Sequence, residues 1–305
     1  MERSSIGVVD TADAIRSGAL SSVALVQECL SRADALDPLL GTYVTRFDAQ
    51  ALAGAHAVDD AVARGEEIGP LAGVPVGVKD FIATREGPTT GQSRVHDRSW
   101  HSCRDATVIA RLRAAGAIIM GKTTMTEHAM GRPDPTQPYP IPRNPWDLDR
   151  WTGGSSTGTG NGIAAGLFPA GLGTDTPGSV RIPAAMCGVT GLKTTHGLVP
   201  MDGCLPAAPA LDVIGPMARS ARDCAMLLEV MAPESGSASW RQDLHGIRLG
   251  VPWSLVEDPA WGVDPCTLEA FRTATEVLEA SGATVQDIAW PEFNAMFAAT
   301  VVIML

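Results

Sequence analysis

Residues 153–181 read GGSSTGTGNG-IAAGLFPAGL-GTDTPGSVR, two glycine-rich, serine-bearing segments around an apolar run rich in alanine and glycine. Glycines gather in this way where backbone must approach backbone or ligand closely, or where amide N–H groups are presented to a developing negative charge. Upstream, residues 73–80 read GVPVGVKD and place Lys79 at the end of a short apolar stretch. Two serines and a lysine in such settings point to acyl transfer.

The surrounding pattern is that of an α/β protein. Ser21 or Ser22 can cap a helix whose apolar positions Val26, Cys29, Leu30 and Ala33 recur at three- and four-residue spacing. An alanine-rich helix is expected from Asp48 to Arg64, and a buried strand ending at Lys79. Asp105 is placed as the cap of a helix running through Leu112, with Gly116 ending it and Ala117–Met120 forming the next strand. Six prolines make Gly131–Pro145 a loop. Ile247–Val251, a helix over Thr267–Ala280 and Ala283–Ile288 form a strand–helix–strand unit, which implies a mostly parallel sheet with helices on its faces.

The sequence resembles the amidase signature family. The family pattern, a lysine in V-K-D, then G-G-S-S, then G-T-D-x-x-G-S-x-R-x-P-A-x-x-C-G-x-x-G-L-K, is met by Lys79, Gly153–Ser156 and Gly173–Lys193. The phrases GPLAGVPVGVKD, DATVIARLRAAGAIIMGKT, NPWDLDR and LDVIGPMARSARDCAMLL are also similar to family counterparts, so the likeness runs from about Ala14 to the end. It implies an α/β/α layered fold with a large mixed, mostly parallel central sheet, as one domain over residues 1–305. It also implies an amidase that hydrolyses a carboxamide through an acyl-enzyme.

By the same resemblance Lys79 is the base, Ser155 the bridging serine and Ser179 the nucleophile, with a cis Gly154–Ser155 peptide. The amides of Thr176, residue 177, Gly178 and Ser179 would form the oxyanion hole, and Ala129 would line the pocket. Asp175 and Arg181 would pair behind the nucleophile and hold its loop in shape. Independently of the family, a lysine serves as a base only when neutral, and burial near Val74, Val76 and Val78 favours that form. The bland alternatives are a surface or salt-bridged Lys79, with Asp80 as partner, and a Ser156 hydroxyl bonded to nearby backbone.

Two features depart from the family. Pro177 stands where glycine is usual and has no N–H to offer an oxyanion, while Thr157, Thr159 and Thr194 are milder changes. The family also continues beyond this length, so the apolar AMFAATVVIML at 295–305 is expected to be the start of a core helix in a C-terminally incomplete chain, prone to aggregate and with little activity.

Rival motifs are weak. Gly154–Gly158 spells the G-x-S-x-G nucleophile elbow around Ser156, and Gly160, Gly162 and Ala165 fit a dinucleotide fingerprint, but neither follows a strand. Two further readings are a component of an amidotransferase that passes ammonia to charged transfer RNA and a binding-only relative impaired at Pro177 or by a missing C-terminal part.

Composition narrows the partners. A net charge of −11 without clustered Lys or Arg argues against nucleic acid and for a small-molecule amide. No cofactor is expected; His96 and His101 lie five apart in a polar loop and His56, His128, His196 and His245 are dispersed, so the six are not read as a metal set. The six scattered cysteines, lacking C-x-x-C spacing, suit reduced thiols in the cytoplasm. No signal peptide is evident, and no apolar run reaches the roughly 18 residues a membrane helix needs. Homo-oligomers are left open.

Overall fold

The computed structural model describes residues 7–235 and 243–304. The chain divides into two compact units, Met1–Ala238 and Ser239–Leu305. The first contains helices α1 (Val8–Arg16), α2 (Ser22–Leu40), α3 (Asp48–Ala63), α4 (Thr107–Ala114), α5 (Thr157–Ala164), α6 (Arg181–Cys187) and α7 (Ala221–Met231). Its strands are β1 (Tyr43–Arg46), β2 (Pro75–Lys79), β3 (Ile118–Thr123), β4 (Ala170–Asp175), β5 (Thr190–Gly191) and β6 (Val213–Ala218). They form one mixed sheet in the order β1-β3-β2-β4-β6-β5.

Alternation along the strands sorts side chains into two cores. Ile118 and Met120 of β3 join one cluster with Leu25 and Val26 of α2, Ala51 of α3 and Ile163 of α5. Ile119, between them, joins the other, with Ala12 of α1, Leu112 of α4 and Leu227 of α7. A period of two therefore feeds both faces, and helices cover each, giving an α/β/α arrangement. Strand β2 is buried at every position, as expected of a central strand with both faces covered.

The expectation of a mostly parallel sheet needs correction here. Only β3–β2 and β2–β4 are parallel in this sheet, while β1–β3, β4–β6 and β5–β6 are antiparallel. Parallel neighbours require a crossover element. Helix α4 supplies one between β2 and β3, whereas β5 returns to β6 through a helix-free loop and runs against it. Asp105 also departs from its expected role. Helix α4 starts at Thr107 without a side-chain cap, and the Asp105 carboxylate instead accepts from Arg85 N at 2.9 Å and Arg113 Nε at 3.0 Å. Ser21 does cap α2, accepting from Ala24 N at 3.1 Å.

The glycine-rich stretch is explained by close packing. A Cβ on Gly77 of β2 would come within 2.5 Å of the Phe168 ring, and one on Gly173 of β4 within 2.6 Å of Ser156 Oγ. Helix α5 meets β4 where Gly171 leaves room for the Thr159 side chain, to which an added Cβ would come within 2.6 Å, while its own Gly160 faces Pro183 of α6 and its Gly162 the Phe168 ring.

In the second unit β7 (Arg248–Val251) and β8 (Thr284–Asp287) pair in parallel as their own two-stranded sheet, and α9 (Pro265–Ala280) is the crossover between them. Asp264 caps α9 through Cys266 N at 2.8 Å, with proline at its first position. Helices α8 (Trp253–Val256) and α10 (Phe293–Met304) complete the unit. Leu305 lies outside the described residues. Among those residues no helix is long and apolar enough to cross a membrane.

Helix α10 exposes Met296 at 53 %, Phe297 at 55 % and Val302 at 72 % of their surface. Contiguous apolar surface of this kind drives association in water. The 305-residue chain is therefore expected to sediment as dimers or larger species, and Phe297→Glu with Val302→Lys to shift it towards monomer. A concentration-independent monomer before substitution would contradict this.

Candidate active site

Strands β2 and β4 run in parallel side by side and end together, at Lys79 and Asp175. Sites in such sheets form at the carboxyl ends of the strands, and the sequence candidates converge there. Lys79 is fully buried. Its Nζ donates to Ser155 Oγ at 2.6 Å and to Thr174 Oγ1 at 2.7 Å. Burial lowers its pKa from 10.5 to about 7, against the opposing influence of Cys204, Asp175 and Asp212. Near neutrality the amine can therefore lose its third proton, keep one donor on Thr174 and accept from Ser155.

The expected alternative of a Lys79–Asp80 ion pair is not formed among the described residues. Asp80 instead faces Lys122 at 3.6 Å, both fully buried. Lys122 also donates to Thr89 Oγ1 at 3.0 Å and to the Ile82 carbonyl, while Asp80 accepts from the Thr90 hydroxyl and from Gly91 N through its backbone carbonyl at 3.0 Å.

Ser155 follows a cis peptide bond from Gly154. Its carbonyl accepts from Thr126 N at 3.3 Å, which ties it to the turn carrying Ala129. Ala129 is half-buried and has φ +64°, and its N–H closes that turn onto Thr126 O at 2.9 Å. The neighbouring Ser156 is used differently. Its Oγ donates to Thr174 O at 3.3 Å and accepts from Thr174 N at 3.2 Å, so it pins α5 to β4. This matches the backbone-bonded reading of Ser156. No strand precedes it, since residues 151–156 are irregular.

Ser179 sits on the turn between β4 and α6 and is almost fully buried; its carbonyl accepts from Ser156 N at 3.3 Å. The turn is shaped from behind by Asp175, whose buried carboxylate accepts from Val180 N at 3.1 Å and pairs with Arg181, Nη2 to Oδ1, at 2.8 Å. Thr176 donates from its hydroxyl to Asp212 at 2.5 Å. With those bonds made, the amides of Thr176, Gly178 and Ser179 donate to no group among the described residues. Three N–H groups on one tight turn are suited to an oxyanion. Pro177 is exposed on the same turn. No hydrogen bond joins Ser155 Oγ to Ser179 Oγ among the described residues.

A family model described as Amidase matches residues 24–305. The chain belongs to the amidase family. It is 40 % identical over 291 residues to a glutamyl-tRNA(Gln) amidotransferase subunit of Chloroflexus aggregans, covering 91 % of this chain and 59 % of that protein. Among solved structures, the peptide amidase of Stenotrophomonas maltophilia is 30 % identical with a TM-score of 0.84, covering 98 % of this chain and 65 % of that one. A chain from a vestigial protein complex described as revealing the origins of an s-triazine catabolic enzyme is 34 % identical with a TM-score of 0.88, covering 98 % and 67 %. The chain thus spans about three-fifths of the length of the curated relatives it matches.

Within this amidase fold, sequence reasoning missed Thr174 as the second partner of Lys79 and the buried Lys122–Asp80 pair. Thr174 lies inside the quoted motif, and Lys122 inside the GKT phrase, but nothing local marks either as buried beside a second charge. The histidines are less dispersed than expected: His96 and His128 bring their rings within 5.9 Å, because His128 N bonds Gly91 O at 2.9 Å and draws two loops together. Among the described residues no three His, Cys, Asp or Glu are grouped to hold a metal ion. The six cysteines are free, and burial pushes the thiol of Cys204 up to about 12.

Proposed function

We propose that the chain carries the catalytic centre of an amidase, with Lys79 as base, Ser155 as proton relay and Ser179 as nucleophile. The observation that carries this reading is the buried Lys79, with a pKa near 7, bonded at 2.6 Å to Ser155. Neutral Lys79 takes the Ser155 proton as Ser155 takes that of Ser179, and Ser179 Oγ attacks the carboxamide carbon. The oxyanion settles on the Thr176, Gly178 and Ser179 amides. As the C–N bond breaks, Ser155 delivers a proton to the leaving amine and Lys79 restores it. Water then hydrolyses the acyl-enzyme by the same path. None of these steps calls on a cofactor. The Ser155–Ser179 hydrogen bond belongs to the substrate complex, since catalytic hydrogen bonds commonly tighten only there.

The test is labelling by a serine-reactive phosphonate, alongside ammonia or amine release from aliphatic, aryl and urea-like amides. Labelling of Ser156, or no labelling of Ser179, would overturn the assignment. A second reading is favoured by the amidotransferase relatives: glutamine as the amide, with ammonia passed on to charged transfer RNA. Preferential ammonia release from glutamine over simple amides would select it.

Pro177 decides between an active and an impaired centre. Because the three neighbouring amides are unengaged, Pro177→Gly is expected to preserve or raise the phosphonate-labelling rate by adding a donor. A large fall would show that the fixed φ of proline holds the nucleophile turn in place.

A further inference from the structure

Lys122 and Asp80 form a buried ion pair that the proposed chemistry does not use, 3.6 Å apart at 1 % and 0 % side-chain exposure. Burial works against both charges, pushing the Lys122 amine down and the Asp80 carboxyl up. Such pairs seldom stabilise a fold more than apolar residues of similar volume would, and their best-attested use is to fix one arrangement of the chain. The partners of this pair show which arrangement is fixed.

Among the described residues the Lys122 ammonium meets one segment only, residues 80–92, which leaves β2 directly after Lys79. It faces the Asp80 carboxylate and donates to the Ile82 carbonyl and to Thr89 Oγ1, the last at 3.0 Å. Asp80 holds the returning end of the segment. Its carboxylate accepts from the Thr90 hydroxyl and from Thr90 N at 3.2 Å, and its carbonyl from Gly91 N at 3.0 Å. Two bonds then cross to residues 125–129: Gly91 O accepts from His128 N at 2.9 Å, and Gln92 Oε1 accepts from Met125 N. Gln92 is oriented in turn by its own N–H on Thr90 Oγ1 at 3.0 Å. Between those two anchors Thr126 donates its N–H to Ser155 O at 3.3 Å, and Ser155 Oγ meets Lys79 Nζ at 2.6 Å.

We infer that Lys122, with Asp80, is a positioning residue of the Lys79 centre: by folding residues 80–92 back against residues 125–129, it sets the place of Ser155 on Lys79. It acts through backbone and not on substrate. An ammonium suits the task because it donates in three directions, whereas an apolar side chain on β3 would hold the strand and leave the path of the segment open. The inference rests on the catalytic reading above, in which Ser155 relays the proton.

Phosphonate labelling of Ser179, resolved into a maximal rate and an affinity and set beside urea unfolding of the same proteins, tests it. Lys122→Met with Asp80→Asn removes both charges and keeps an acceptor for Thr90, so no uncompensated charge stays buried. The folded double variant is expected to lose about tenfold or more in maximal rate, the scale of cost for misplacing a reacting group by about an ångström, with affinity changed less. A purely structural role would lower the folded fraction and leave the rate per folded molecule unchanged. Gln92→Met cuts the same path away from the ion pair and is expected to lower the maximal rate as well. Added to the double variant, it should cost less than the product of the separate effects, because both break one connection. If the double variant does not fold, Gln92→Met decides alone. An unchanged maximal rate in either folded protein, a loss confined to affinity, or effects that multiply in full would each overturn the proposal. Absent labelling of the unsubstituted protein would instead overturn the catalytic reading, and this proposal with it.

Discussion

Lys79→Met is expected to abolish acylation of Ser179 and, at the same time, to stabilise the fold at acidic pH. On activity, the variant should match Ser179→Ala, with a loss on the order of 10³ or more, because residues on one proton path fail together. In the unsubstituted protein, labelling should rise as pH climbs through about 7, where Lys79 becomes neutral. On stability, the sign follows from the depressed pKa. Between pH 7 and 10.5 the unfolded chain holds the lysine proton and the folded chain does not, so stability from this group rises with pH across that window and is lowest below it. Methionine removes the burden of a buried ammonium, and the gain in Tm should be larger at pH 6 than at pH 10. The loss of hydrogen bonds from Ser155 and Thr174 offsets part of it at every pH. Near-normal labelling in Lys79→Met would remove Lys79 as base; a Tm gain independent of pH would remove the burial argument.

Gly158→Ala is expected to be among the most damaging single methyl additions in the described residues. The added Cβ would lie 2.3 Å from Thr42 O and 2.6 Å from Thr124 N. Both are backbone atoms and are bonded to each other, Thr124 N to Thr42 O at 2.8 Å, while Thr124 O accepts from Gly158 N at 2.9 Å. No flexible side chain can give way, so the cost is about 3 kcal/mol, at the upper end for overpacking. Urea unfolding measures it. A loss below about 1 kcal/mol would mean that α5 can slide outward at little cost, and that the glycine-rich stretch serves something other than close packing.

Much of the frame was legible from local chemistry. The Ser21 cap, the helix over Thr267–Ala280, its flanking strands and the placing of Lys79 at a strand tip all depend on short-range pattern, and all are found. The resemblance to the amidase signature family, not local chemistry, singled out Lys79, Ser155 and Ser179. What misled was also local in origin. Asp105 has the residue type of a cap, yet two arginines that only the fold brings near, Arg85 and Arg113, take its carboxylate. The strand–helix–strand pattern at the C-terminal end was right in itself, but pattern carries no information about which sheet a strand joins, and among the described residues β7 and β8 form their own two-stranded sheet.

The sequence by itself determined which elements form, which family the chain resembles, and that two adjacent serines compete for one lysine. What holds them apart physically is set by the tertiary structure alone. The parallel register of β2 against β4 carries Thr174 to Lys79 across 95 positions, and the same packing turns Ser155 onto the amine and Ser156 onto the β4 backbone. Hydroxyls of adjacent residues are alike in chemistry; what separates them is burial and partner, and those are set by contacts between segments far apart in the chain.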